Sequence, residues 1–112
     1  MESDRKGVNL AVIGAGYWGR KAISEYLELA KADPKFNLAY VCDLKEENLE
    51  YCRDVLHVKE EQLSSDYEAI LKSPDIDAVH ICTPNETHHH FGLQSLNCEK
   101  NVLIEKPHGF DV

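Results

Sequence analysis

The sequence has no long apolar run and few positive charges relative to negative ones. None of its apolar stretches approaches the roughly 20 residues of a membrane-spanning helix. Its 112 residues include 12 Lys and Arg against 20 Asp and Glu, which gives a formal net charge of −8. Nucleic acids and anionic membranes bind basic surfaces, so this balance argues against both. We expect no nucleic-acid partner and no membrane partner.

Paired cysteine motifs are also missing. The four cysteines form no C-x-x-C pair and lie in apolar or helical segments; they are Cys42, Cys52, Cys82 and Cys98. Free cysteines in such segments behave as small apolar side chains, so we predict buried structural thiols. The polar start at residues 1–6, before a short glycine-broken apolar stretch, does not resemble a signal peptide. We therefore expect a cytoplasmic protein.

The sequence does contain a regular alternation of strand and helix patterns. Predicted strands cover residues 8–13, 38–42, 78–82 and 101–105, with a very short edge strand at 62–63. Predicted helices cover residues 17–31, 45–56 and 86–97, and a capping-box pattern at residues 65–68 opens one further short helix. This alternation predicts an α/β fold, a doubly wound parallel sheet of about five strands with helices on both faces.

A glycine motif, G-x-G-x-x-G, lies at residues 14–19, directly after the first strand and at the start of the first helix. Gly14 permits a tight turn, Gly16 lets the backbone approach a pyrophosphate, and Gly19 lets the helix pack closely against the strand. The helix N-terminus then offers N–H groups to the phosphates. The alternative is a glycine turn with a structural role alone.

An acidic residue follows the second predicted strand. Asp43 lies 24 residues after Gly19, where a carboxylate accepts hydrogen bonds from the adenosine ribose hydroxyls and repels a 2′-phosphate. This position favours NAD(H) over NADP(H), although the neighbouring Lys45 weakens the preference. Alternatively Asp43 caps the following helix, and the two roles are compatible.

Aromatic and histidine residues offer two further candidate sites. Trp18 is expected to pack under the first helix, whereas Tyr17 is expected near either the phosphates or a substrate cleft. Residues 88–90 are three consecutive histidines. Consecutive residues of a helix point in different directions and do not converge on one ion, so we predict no metal site.

Three motifs together identify a family. The glycine motif at residues 14–19, C-T-P-N-E-T-H at residues 82–88 and N-V-L-I-E-K-P at residues 101–107 resemble the glucose–fructose oxidoreductase/inositol dehydrogenase/rhizopine catabolism (Gfo/Idh/MocA) family. The resemblance implies that residues 1–112 form an NAD(P)-binding Rossmann domain, a fragment of a two-domain oxidoreductase without its substrate domain. It also implies activity on a sugar, a polyol or a related hydroxy compound.

The resemblance further assigns roles near the cofactor. The loop after the fourth strand would lie against the cofactor, His88 would approach its nicotinamide end, and Glu105 would contact the nicotinamide ribose or amide. Lys106 would bind the substrate hydroxyl and assist proton transfer, which the removal of a hydride from an alcohol requires. The catalytic candidates are thus Lys106 and His88. The cofactor-binding candidates are Gly14, Gly16, Tyr17, Trp18, Gly19, Asp43, Thr83, Pro84, Asn85, His88, Glu105 and Lys106.

The leading hypothesis is the NAD-binding domain of an oxidoreductase. Its partner would be a small hydroxy substrate held by a C-terminal domain, and the 112-residue chain would not turn over substrate alone. A homo-oligomer is compatible with the edge position expected for the last strand. The rival hypothesis is a non-catalytic module that senses a nucleotide or organises an assembly.

Overall fold

A computed structural model describes residues 7–83 and 100–104 of the chain, Ile104 by its backbone alone. The strands are β1 (Val8–Ile13), β2 (Phe36–Cys42), β3 (Leu63–Ser64), β4 (Ala78–Ile81) and β5 (Asn101–Ile104). The helices are α1 (Tyr17–Ala32), α2 (Glu46–Asp54) and α3 (Tyr67–Lys72), and a 3-10 turn (Glu60–Gln62) precedes β3.

The five strands form one parallel sheet in the order β3-β2-β1-β4-β5. The last residue of β1, Ile13, pairs with Cys42 of β2 and with Ile81 of β4. The carboxyl ends of the three central strands therefore meet at one edge of the sheet, where open α/β sheets bind ligands. The prediction of a doubly wound parallel sheet is confirmed.

Apolar cores lie on both faces of the sheet. Alternate residues of β1 point to opposite faces, so Val12 packs with Ile23 of α1 and Cys52 of α2, whereas Ile13 packs on the α3 side. On that side α3 buries Ile70 and Leu71. The near-continuous apolar pattern of β1 reflects this burial on both faces.

β1 has the predicted bounds, and other element boundaries differ from prediction by one or two residues. β2 begins at Phe36 because this residue pairs with Val8 and its ring stacks on Tyr26, with centroids 5.4 Å apart. α2 ends at Asp54, and the chain then turns through His57, whose φ is 65°. The short strand β3 lies one residue later than predicted, and β4 ends one residue earlier.

The predicted capping box of α3 is wrong by one position. Asp66, not Ser65, is the N-cap residue, and its carboxylate accepts a hydrogen bond from Ala69 N at 3.2 Å. Asp66 N in turn donates to Ser64 Oγ, which sets the chain direction before the helix. The predicted helix at residues 86–97 lies outside the described residues, as does the end of the predicted last strand at residue 105.

Candidate cofactor site

The glycine-rich turn begins where β1 ends. Gly14 N donates a hydrogen bond to Cys42 O at 2.7 Å, which ties the turn to β2. Gly14 has a φ of 104°, and a Cβ at this position would lie 2.9 Å from the carbonyl carbon of Cys82 and from Thr83 N. Both the backbone conformation and the space therefore require glycine here, as predicted.

Gly19 and Gly16 meet two different requirements. Gly19 is buried in α1, and a Cβ there would collide with the carbonyl oxygen of Gly14, so glycine lets the helix pack against the turn. A Cβ on Gly16 would meet no atom within 4 Å. The space next to Gly16 is thus open, and the approach of a pyrophosphate to its backbone stays a prediction.

The N-terminus of α1 is free to bind an anion. Within the described part of the chain, its N-cap Gly16 makes no side-chain capping bond and its first turn holds no acidic residue. By contrast, α2 carries Glu46 and Glu47 in its first turn and α3 is capped by Asp66. The N–H groups of the first turn and the partial positive charge at the start of α1 suit the phosphates of a dinucleotide.

Asp43 directly follows β2 and faces the turn. Its Oδ2 accepts a hydrogen bond from Ala15 N at 2.7 Å, and its Oδ1 accepts one from Lys45 N at 2.8 Å. The second bond orders the turn before α2, but the N-cap of that helix is Lys45, which has no side-chain capping bond, so the alternative that Asp43 caps the helix is wrong. The first bond holds the carboxylate against the glycine-rich turn, and a contact between Asp43 and an adenosine ribose stays a prediction.

Two polar residues that the sequence interpretation missed complete this region. Asn48 of α2 donates from Nδ2 to Asp43 Oδ2 at 3.1 Å, and its Oδ1 accepts from the Arg20 guanidinium at 2.9 Å. Arg20 Nε also donates to Ala15 O at 3.0 Å, and its guanidinium lies 3.8 Å from the centroid of the Tyr51 ring. Nothing in the sequence distinguishes Arg20 and Asn48 from solvated helix residues, since only the packing of α1 beside α2 joins them.

The aromatic pair lies at the first turn of α1. Tyr17 is 66% exposed and Trp18 is half-buried, and their rings meet edge-on with centroids 4.7 Å apart. Lys21 Nζ lies 5.4 Å from the Tyr17 centroid and 5.3 Å from the Trp18 centroid. Trp18 is thus only half covered, and a contact of Tyr17 with phosphates or substrate stays a prediction.

Thr83 lies beside Gly14 at the end of β4. Its Oγ1 is a buried hydroxyl oxygen with no hydrogen-bond partner within the described structure. A buried hydroxyl without a partner costs about 1–3 kcal/mol, which a bound polar ligand would relieve. A contact between Thr83 and a cofactor stays a prediction.

The remaining predicted site residues lie outside the described residues: Pro84, Asn85, His88, Glu105 and Lys106. The strands that lead into them are neighbours, because Ile81 of β4 pairs with Ile104 of β5. The two segments that carry these residues therefore start from the same edge of the sheet, the edge that also holds the turn.

Cys42 and Cys52 are buried free thiols, whereas Cys82 is half-buried. Burial raises the pKa of Cys42 to about 12 and that of Cys52 to about 11; Arg20 acts against the shift of Cys52, and the Asp43 carboxylate raises both. The prediction of buried structural thiols is confirmed for Cys42 and Cys52 only, and Cys98 lies outside the described residues. Among residues 7–83 and 100–104 no three His, Cys, Asp or Glu side chains form a metal site, and no helix is long and apolar enough to cross a bilayer.

The family assignment now has direct support. Residues 8–112 match the model of an oxidoreductase family with an NAD-binding Rossmann fold, GFO_IDH_MocA. The chain belongs to this family. Its membership favours an oxidoreductase domain over a non-catalytic sensing or assembly module, and NAD is the cofactor of the domain.

Known members extend well beyond the length of this chain. The uncharacterized oxidoreductase YrbE of Bacillus subtilis is 26% identical over 107 residues, which is 96% of this chain and 30% of YrbE. The structure of scyllo-inositol dehydrogenase from Lactobacillus casei matches with a TM-score of 0.72 and 26% identity, over 96% of this chain and 30% of that chain. Levoglucosan dehydrogenase in complex with NADH matches with a TM-score of 0.74 and 25% identity, over 91% of this chain and 28% of that chain.

Proposed function

We propose that this chain is the cofactor-binding part of an NAD-dependent oxidoreductase that moves a hydride to or from a hydroxyl-bearing carbon of a sugar, a polyol or a related compound. One observation carries the proposal: the uncapped start of α1, open at Gly16, lies beside an Asp43 carboxylate only 2.7 Å from Ala15 N. The activities named for scyllo-inositol dehydrogenase and levoglucosan dehydrogenase support the substrate class.

Different described residues would bind different parts of the cofactor. The N–H groups at the start of α1 would hold the pyrophosphate, and Gly16 would leave it room. Asp43 would accept a hydrogen bond from the adenosine ribose and would repel a 2′-phosphate, which selects NAD over NADP. The Thr83 hydroxyl, for which residues 7–83 and 100–104 offer no hydrogen-bond partner, would pair with the bound dinucleotide.

The chemistry would take place at the far end of the same edge. A bound nicotinamide ring would supply the hydride acceptor or donor. Lys106 would bind the substrate hydroxyl and take up or return its proton, with His88 close to the same group. Glu105 would contact the nicotinamide ribose or amide, while Pro84 and Asn85 would line the loop against the cofactor.

The substrate would be held largely by residues outside this chain. We place this chain as the cofactor domain of a two-domain enzyme, with a C-terminal domain that binds the small hydroxy substrate. Free, buried thiols support a reducing, cytoplasmic location. The formal charge of −8 supports the absence of nucleic-acid partners. A homo-oligomer is also proposed, with the sheet edge as one place for pairing.

The test is turnover of the full-length protein with NAD⁺ and a panel of inositols and sugars, compared with its Lys106→Met variant. We expect the variant to bind NADH like the wild type and to lose at least about 100-fold in kcat, because a positioned proton carrier contributes that much or more. Unchanged kcat in Lys106→Met would contradict the assigned role, and absence of NADH binding in the wild type would contradict the proposed function.

A further inference from the structure

We propose that Arg20 and Asn48 are positioning residues that set the cofactor selectivity of this site by holding the Asp43 carboxylate in one orientation. The two residues, with the Tyr51 ring beneath Arg20, form what we call the Arg20–Asn48 brace. The inference rests on the proposed contact between Asp43 and the adenosine ribose, and it deepens that proposal by naming the atom that makes the contact.

The orientation of the Asn48 amide is determined by its two neighbours. Its Nδ2 donates to Asp43 Oδ2 at 3.1 Å, while its Oδ1 accepts from Arg20 at 2.9 Å. A flipped amide would place an oxygen against the carboxylate and an NH₂ group against the guanidinium, and both contacts are repulsive. The amide therefore fits between an anion and a cation in one way only.

Arg20 is in turn held by three contacts of different kinds. Its Nε donates to Ala15 O at 3.0 Å, its terminal nitrogen donates to Asn48, and its guanidinium lies over the Tyr51 ring at 3.8 Å. Lysine offers neither the planar fork nor the stacking face that this arrangement uses. Because Asp43 binds the N–H of Ala15 and Arg20 binds its carbonyl, Asp43 and the brace together hold the glycine-rich turn at both ends of that residue.

A count of acceptor sites identifies the ribose-binding atom. A carboxylate offers about four lone-pair sites, two on each oxygen. Oδ2 of Asp43 already accepts from Ala15 N and from Asn48, whereas among the described residues Oδ1 accepts only from Lys45 N. Oδ1 is thus the oxygen that receives a ribose hydroxyl. The brace fixes the negative charge at this point, where it repels a 2′-phosphate, and a carboxylate free to rotate would repel it less.

The experiment measures the dissociation constants of NADH and NADPH by fluorescence on the full-length protein and its variants. The variants are Asn48→Ala, Arg20→Lys and Asp43→Asn, with Arg53→Ala on the exposed side of α2 as the matched control. We expect Asn48→Ala and Arg20→Lys each to weaken NADH binding about tenfold and to reduce the preference over NADPH by a similar factor, the size expected for one hydrogen bond to a charged group. Arg53→Ala is expected to leave both constants unchanged.

A double-variant cycle separates positioning from a general loss of structure. In an Asp43→Asn background, Asn48→Ala should change the NADPH-to-NADH ratio no further, because there is no longer a charge to orient. An Asn48→Ala effect on the ratio that persists in that background would overturn the inference. The inference would also be overturned if Asp43→Asn lowers the preference for NADH over NADPH while Asn48→Ala and Arg20→Lys leave the NADPH-to-NADH ratio of dissociation constants unchanged. A wild-type protein that binds no NADH would instead overturn the proposed function together with the inference.

Discussion

At the scale of single residues, Gly14 and Gly19 were predictable because their roles follow from local sterics. Gly14 needs a positive φ and Gly19 needs space under a carbonyl, whereas Gly16 needs neither within the described structure. The role predicted for Gly16 depends instead on the proposed ligand. Arg20 and Asn48 were not predictable in the same way, because they lie 28 positions apart and meet only when α1 packs beside α2.

This difference between glycines can be tested with two alanine substitutions. Gly14→Ala is expected to lower the free energy of unfolding by about 1–3 kcal/mol, because alanine would be strained at a φ of 104° and crowded by Cys82 and Thr83. Gly16→Ala is expected to leave stability nearly unchanged and to abolish NADH binding. Urea unfolding and a fluorescence titration of each variant measure the two effects. Equal loss of stability in both would contradict the assignment.

The buried Cys42 thiol predicts a pH dependence of stability. Its pKa is raised from 9.0 to about 12, chiefly by burial. Between these values the unfolded chain has released the thiol proton and the folded chain has kept it, so stability falls as the pH rises through this window. One thiol contributes a slope of up to about 1.4 kcal/mol per pH unit. Urea unfolding at pH 8 to 10.5 should show a shallower decline in Cys42→Ala, and parallel profiles would contradict the prediction.

At the scale of elements, the order and type of every described strand and helix were predictable, but several of their ends were not. The sequence S-x-x-E at residues 65–68 has the pattern of a capping box with Ser65 as the N-cap. The N-cap is instead Asp66, the next residue, whose side chain accepts the hydrogen bond from Ala69 N. Likewise α2 ends before Leu56 because His57 adopts a left-handed conformation without being glycine. Helix ends depend on single capping hydrogen bonds and on the backbone conformation of single residues, which the periodicity of apolar residues does not predict.

The corrected cap of α3 leads to a matched pair of substitutions. Asp66→Ala should cost about 1 kcal/mol of stability, because Ala69 N loses its capping oxygen. Ser65→Ala, one residue earlier and exposed, should change stability by a few tenths of a kcal/mol at most. Both values come from urea midpoints at constant m-value. A larger loss of stability for Ser65→Ala than for Asp66→Ala would contradict Asp66 as the N-cap and would favour the capping box that begins at Ser65.

A buried lysine joins two elements that are distant in sequence. Lys100, only 8% exposed, precedes β5, and its Nζ donates to Ser73 O and Ile76 O in the connection between α3 and β4. Lys100→Ala would leave two carbonyls without this donor, and we expect a loss of about 2 kcal/mol or more. Lys72→Ala, on the exposed end of α3, is the control and should cost far less. Similar unfolding midpoints for the two variants would contradict the role of Lys100.

At the scale of the whole molecule, the sheet order and the position of the site were predictable because parallel strands with helices on both faces leave few topologies. The carboxyl edge of β1, β2 and β4 brings the turn, Asp43 and Thr83 together. Recognition and chemistry then fall on different parts of the chain. The proposed dinucleotide recognition uses described residues that follow β1 and β2 and that begin α1, whereas the proposed proton transfer uses segments that follow β4 and β5.

This division predicts different behaviour for binding and for turnover in the 112-residue chain. At an NADH concentration of about 100 Kd, binding should stabilise the folded chain by about 2.7 kcal/mol, which a thermal or urea shift detects. Gly16→Ala, with its fold intact, should abolish that shift. The same chain should show no oxidation of inositols or sugars, because these substrates need a site outside it. Turnover by the chain alone would mean that residues 1–112 also bind the substrate, and the proposal of a separate substrate domain would fail.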